Sequence, residues 1–180
     1  MRVIGFDPDL HNSGYAVFDE GELGEVGLVS IPKELKGREA ALAMASSVAR
    51  KMHYLREETT GGEDTLLIAE YMKVYMRKTE AAPALIDLSF ITGASTAVFN
   101  PDEVRLPLAS EWKGQVPKRI HQARILRREG LEFTVHGKQS NLFKVEWGYA
   151  WPSPPSAMGK QSHALDALGL ARWGVERFAH

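Results

Sequence analysis

Three short apolar runs open the chain. Residues 2–7, 13–19 and 22–31 have the length and the β-branched or aromatic content of strands. Only the turn-rich PDLHN and the pair Glu20–Gly21 separate them, so sequential antiparallel pairing is expected. The spacing then changes. REAALAMASSVARKMHYL carries Leu42, Ala45, Val48, Ala49, Met52 and Leu55 at helical intervals. TTGGED ends that helix, and TLLIAE (65–70) reads as a buried strand finishing on Glu70. A second helix starts near Pro83, a residue suited to a first turn, with Leu85, Leu88, Ile91 and Val98 inward. NPDE breaks it and VRLPL makes a short strand. PKRIHQARILRREG is a third helix, with Pro117 near its start, Gly130 past its end, and Ile120, Ala123 and Leu126 as its inward stripe. LEFTV and LFKVEW pair as a hairpin, WPSPPSAMG is a loop stiffened by prolines, and Ser162 reads as the N-cap of a last helix, HALDALGLARWGVERF.

This order, three meandering strands and then alternating helices and strands, predicts an α/β chain with a mixed five-stranded sheet covered by helices. The ribonuclease-H-like fold has this order. With 180 residues, a single domain spanning 1–180 is expected. Hydrophobic content of 44% and charged content of 25% are those of an ordinary globular chain. No run of eighteen apolar residues and no signal-peptide pattern occur, so no membrane partner is expected. The absence of cysteine excludes disulfides and thiolate metal sites and fits a cytoplasmic location.

The acids carry the chemistry. Asp7 closes an apolar strand, where a carboxylate must be paired, protonated or bound to a cation. In the expected fold the first and fourth strands lie side by side and parallel, which brings Asp7 next to Glu70. His163 and Asp166, three residues apart, project from one helical face. Each has an ordinary explanation: a turn-former or cap for Asp7, a common strand end for Glu70, a surface helix start for His163. Asp166 is the hardest to dismiss, because it sits between Leu165 and Leu168 on a helix with little other polarity. Three carboxylates and an imidazole repel one another unless a divalent cation lies between them, and this donor set favours magnesium, with manganese also suited. Two such ions, about 4 Å apart, align a water and the leaving 3′-oxygen of a phosphodiester, so metal-dependent phosphodiester hydrolysis is expected.

These motifs together resemble the RuvC family of Holliday-junction resolvases. VIGFDPDLHNSGYAVFD is similar to the family's first two strands with their metal-binding Asp, LLIAEYM to its second acidic motif, and SHALDALGLARW to its closing helix, where a His and an Asp match His163 and Asp166. EWKGQVPKRIHQARI resembles a stretch of phage-type RuvC-like proteins. The resemblance implies a homodimeric endonuclease that nicks a four-way DNA junction symmetrically, in the cytoplasm of a bacterial cell or of a phage-infected host. It also implies that Asp7, Glu70, His163 and Asp166 are catalytic metal ligands. The family usually has Gly where this chain has Asp9, a side chain expected to face solvent. The region 131–158, with Phe143, Trp147, Tyr149 and Trp151, is longer than the family pattern.

Net charge is only −1, yet residues 113–128 hold six basic residues and no acid. Lys113, Lys118, Arg119, Arg124 and Arg127 are the expected phosphate contacts, against the plainer reading of a solvated helix face. In YMKVYMRK (71–78) the resemblance implies an aromatic wedge, best matched by Tyr75, with Lys73, Arg77 and Lys78 on neighbouring phosphates. Packing of Tyr75 into a core or a dimer interface is the alternative. Two other functions use the same features: a debranching nuclease acting on flaps and forks, and a non-catalytic junction-binding protein. ATPases of the sugar-kinase and actin type need a second lobe and a glycine-rich first hairpin; 180 residues leave room for one lobe and the first hairpin lacks those glycines, so that function is not expected.

Overall fold

The computed structural model describes residues 1–58, 64–71, 82–136, 142–152 and 158–179. Its strands are β1 (Arg2–Asp7), β2 (Asn12–Asp19), β3 (Glu22–Ser30), β4 (Thr65–Ala69) and β5 (Glu103–Arg105), ordered β3-β2-β1-β4-β5 in one mixed sheet. β1, β2 and β3 form the antiparallel meander, and β4 and β5 run parallel to β1. Its helices are α1 (Gly37–Glu57), α2 (Ala82–Phe99), the single turn α3 (Ala109–Trp112), α4 (Lys118–Arg128) and α5 (Gln161–Phe178). A separate hairpin pairs β6 (Glu132–His136) with β7 (Leu142–Glu146).

Strand alternation divides the interior into two cores. In β1, Ile4 and Phe6 enter the core shared with α1 and α2, while Val3 enters the one shared with α4, α5 and the hairpin. In β4, Leu67 and Ala69 face the first and Leu66 and Ile68 the second. Asp7 has the parity of Val3, which places it on the α5 face.

Helix α5 lies against β1 and β2 at glycines. A Cβ on Gly5 would stand 2.1 Å from the Ala167 carbonyl oxygen, and one on Gly14 would stand 2.1 Å from that of His163. Side chains are excluded there, and the helix backbone occupies the space. At the other end of α4, Glu129 accepts two hydrogen bonds from Arg172 of α5, both 2.6 Å, and its side chain is only 2% exposed. That pair fixes α4 against α5.

Several expected details differ. Leu42 is exposed, because α1 approaches the sheet through the small residues Ala40, Ala41 and Ala45 together with Met44. Val98 is exposed and Phe99 is buried in its place. In α4 the inward stripe is His121, Gln122, Ile125 and Leu126, so Ile120 points outward. The expected strand 104–108 shortens to Glu103–Arg105, since Pro107 follows. Ser162 lies inside the first turn of α5, which Lys160 precedes as N-cap. Length and composition alone would also let α2 cross a bilayer. Instead it packs on α1 through Ile91, Ser95 and Phe99 and leaves its other face open.

Candidate active site

Asp7 ends β1, and Glu70 directly follows β4, whose Ala69 is the register partner of Phe6. Both therefore sit at the carboxyl ends of adjacent parallel strands, where open α/β sheets place ligand sites. The first turns of α5 deliver the other two residues. His163 Nδ1 lies 2.7 Å from Asp7 Oδ2, and Asp166 is buried among leucines and alanines of the same helix. The position of α5 is set by Gly14 and by Trp147, whose indole N–H donates to Gln161 Oε1 at 3.1 Å. Trp147 and Phe143 are buried and Trp151 meets Trp147 edge to face, so these aromatics of the long 131–158 region support the α5 side of the site. Tyr149 is exposed.

Every acid of the cluster is met by a donor from the chain. Lys118 Nζ stands 2.5 Å from Asp166 Oδ2, and the Gln122 amide donates to Asp166 Oδ1 at 2.9 Å. Trp112 donates its indole N–H to Glu70 Oε2 at 3.0 Å, with Lys113 Nζ at 3.4 Å from the same oxygen. The segment 112–122 thus grips Glu70 at one end and Asp166 at the other. Lys113 and Lys118, expected on phosphates, are here partners of the acids. Arg124 and Arg127 are exposed and Arg119 is half-buried, all on α4. Lys73, Tyr75, Arg77 and Lys78 lie outside the described residues.

Burial pushes the Asp7 carboxyl up to about 6, with the charge of Asp166 adding to it and the His163 hydrogen bond opposing it. Burial works against the His163 cation, but the hydrogen bond and charge of Asp7, with Asp9 behind them, outweigh it and hold the imidazole above its ordinary value. Asp9 does not simply face solvent. It accepts the backbone N–H groups of His11 and Asn12, both at 2.8 Å, and lies 3.7 Å from His163 Nε2. Burial raises its pKa, and those two donors more than reverse the shift.

The structure therefore joins Asp7 to His163 directly and couples Asp7 to Asp166 through charge, with Glu70 on the neighbouring strand held by Trp112 and Lys113. Among the described residues no three His, Asp or Glu side chains stand close enough to clasp one ion together. The chemistry of the donor set nonetheless fits a hard divalent cation. It is rich in carboxylate oxygen, and the chain sets its own cations, Lys113 and Lys118, and the imidazole of His163 against those acids.

Sequence reasoning missed Trp112, Gln122, Gly14 and the inward role of Asp9. A polar Gln at a position facing the core was the available signal, hidden because the inward stripe of α4 was drawn through Ile120.

No family model and no curated protein matches the chain. Solved structures do. The chain is similar to T. thermophilus RuvC in complex with a Holliday junction substrate, at 14% identity and a TM-score of 0.58, covering 97% of this chain and 93% of that one. A second Thermus thermophilus RuvC structure matches at 16% identity and a TM-score of 0.56, with the same coverage. The chain has the RuvC-like fold. The mixed five-stranded sheet flanked by helices matches that fold.

Proposed function

We propose that this chain is a metal-dependent endonuclease that resolves four-way DNA junctions by paired symmetric nicks. The observation that carries the reading is the 2.7 Å contact of His163 with Asp7 at the carboxyl end of β1, with Asp166 near enough for its charge to act on Asp7, Glu70 just past the end of the adjacent parallel strand β4, and the basic helix α4 beginning at Lys118 on Asp166. Its RuvC-like neighbour was solved with a Holliday junction substrate, which supports the substrate class.

Asp7, Glu70, His163 and Asp166 would hold one or two magnesium or manganese ions. When bound, such ions lower the pKa of a water and stabilise charge on the phosphoryl oxygens. The chain's own residues do the rest. With its proton on Nδ1, His163 would donate a hydrogen bond to Asp7 Oδ2, 2.7 Å away, and so fix that carboxylate while leaving Nε2 for the ion. Gln122 fixes Asp166 by the same means. Lys118 is placed to exchange Asp166 for a phosphate as DNA enters. Hydrolysis puts the water oxygen on phosphorus and releases the 3′-oxygen, with no covalent enzyme intermediate. A homodimer would offer one site to each of two symmetric strands. The exposed Ile86, Phe90 and Val98 of α2 support self-association, and the absence of cysteine supports a cytoplasmic setting.

The test is a labelled four-way junction incubated with the protein, with and without magnesium or manganese, beside a linear duplex. Paired nicks that need the metal and vanish in Asp7→Asn support the reading. Full cutting by Asp7→Asn in magnesium would overturn it.

A further inference from the structure

A groove of about 350 Å³ runs between α4 and the β6–β7 hairpin, apart from the acids. Its rim is Arg119, Arg124 and Arg127, and its floor includes Ile120, Phe133 and Val135. Among the described residues none of the three guanidiniums has a carboxylate partner; Arg128, on the next face of α4, takes Glu176 instead. Arg127 lies over the Phe133 ring, 5.7 Å from its centroid. The floor is open, with Ile120 and Val135 exposed at 47% and 42%. Strand alternation turns Phe133 and Val135 toward α4, while Glu132 and Thr134 take the other face, so no hairpin acid neutralises the rim.

Unpaired arginines over an apolar floor suit one kind of strand. A duplex backbone offers phosphates and sugars but keeps its base faces stacked inside, and would leave the floor unfilled. An unpaired strand offers phosphates to the rim and a free base face to the floor. The helix that carries the rim also reaches the candidate site. Lys118, whose ammonium sits on Asp166, opens the helix that then carries Arg119 to Arg127 over about 12 Å.

We infer that this groove holds a single-stranded DNA tail of a branched substrate and leads it toward the acids at the start of α4. The inference rests on the nuclease reading for what happens to the strand, and extends it toward tailed substrates such as flaps and forks.

The full-length protein, in EDTA so that nothing is cut, is titrated by fluorescence anisotropy with a labelled oligodeoxythymidine. An abasic oligomer of the same length, a glutamate peptide of equal charge, and a four-way junction with and without a single-stranded tail complete the set. The expected result is that the oligodeoxythymidine binds about tenfold tighter than the abasic strand and the peptide. Val135→Asp, and independently Ile120→Asp on the opposite wall, should remove that preference and the advantage of the tailed junction, with unchanged melting temperature. Equal binding of abasic and base-bearing strands, a tighter glutamate peptide, or a tail advantage that survives in both folded variants would overturn the inference. Metal-dependent nicking of the fully paired junction is read separately. A protein that nicks but shows no base preference keeps the nuclease reading and loses the groove. One that shows the preference but never nicks keeps the groove and loses the nuclease.

Discussion

Gly14 is where the fold and the site depend on each other most directly. It pairs with Asp7 across the β1–β2 ladder, and its missing side chain leaves room for the His163 backbone. An alanine Cβ there would stand 2.1 Å from His163 O and 2.3 Å from its carbonyl carbon, about 1.3 Å short of ordinary contact at 3.4 Å. Both groups in the clash are backbone, so no side chain can rotate away, and the first turn of α5 must lift off the sheet. Overpacking of this kind costs about 1–3 kcal/mol. For a chain of this size that lowers Tm by about 2–4 °C per kcal/mol. The lift also carries His163 away from Asp7, where a displacement of about 1 Å costs on the order of 100-fold in rate. The assay pairs a thermal melt with junction cleavage, and uses Gly93→Ala as control. Gly93 sits on α2 with nothing within 4 Å of a built Cβ, so alanine there should gain up to about 1 kcal/mol of helix stability. A Gly14→Ala protein that melts and cuts like wild type would refute the argument that a close backbone approach sets the site.

Three further outcomes follow from the same contacts. Asp7 is raised by burial from 3.8 to about 6, so its charged form is disfavoured in the fold, and above pH 6 metal-free wild type carries a cost on the order of 3 kcal/mol that fades as pH falls toward 4. Asp7→Asn should therefore melt higher than wild type at pH 8 in EDTA, with the gap closing by pH 4; a gap independent of pH contradicts the assignment. Gln122→Leu removes the amide on Asp166 together with a buried Oε1 that has no partner, so Tm should hold while manganese affinity, read by calorimetry, weakens about 10–100-fold. Arg172→Leu strands the buried Glu129 carboxylate and should cost about 3–5 kcal/mol in denaturant melts, most of it recovered when Glu129→Leu is added.

The strands were the most legible part of the sequence. Alternation and short turns placed β1, β2 and β3 to within a residue, and the pairing of β1 with β4 follows from the order of elements. Helix existence was equally plain, but helix faces were not. Leu42 and Ile120 are apolar and exposed, whereas Ala40 and Gln122 are less hydrophobic and buried, because close backbone packing on one helix and a hydrogen-bond duty on the other outweigh side-chain hydrophobicity. The acids and His163 stood out as residue types at strand and helix ends. Their holders did not. Trp112 and Gln122 are ordinary residues until the fold sets their N–H groups against Glu70 and Asp166. Asp9 reads as a solvent-facing turn residue until α5 is placed beside it, and only then does it lie near His163.

The most direct measurement is cleavage of a fully paired four-way junction by wild type, Asp7→Asn and Asp166→Asn, with and without magnesium. The account predicts symmetric paired nicks by wild type that need the metal and are lost in both variants while junction binding persists. Nicking that is independent of metal, or that survives in either variant, would contradict it.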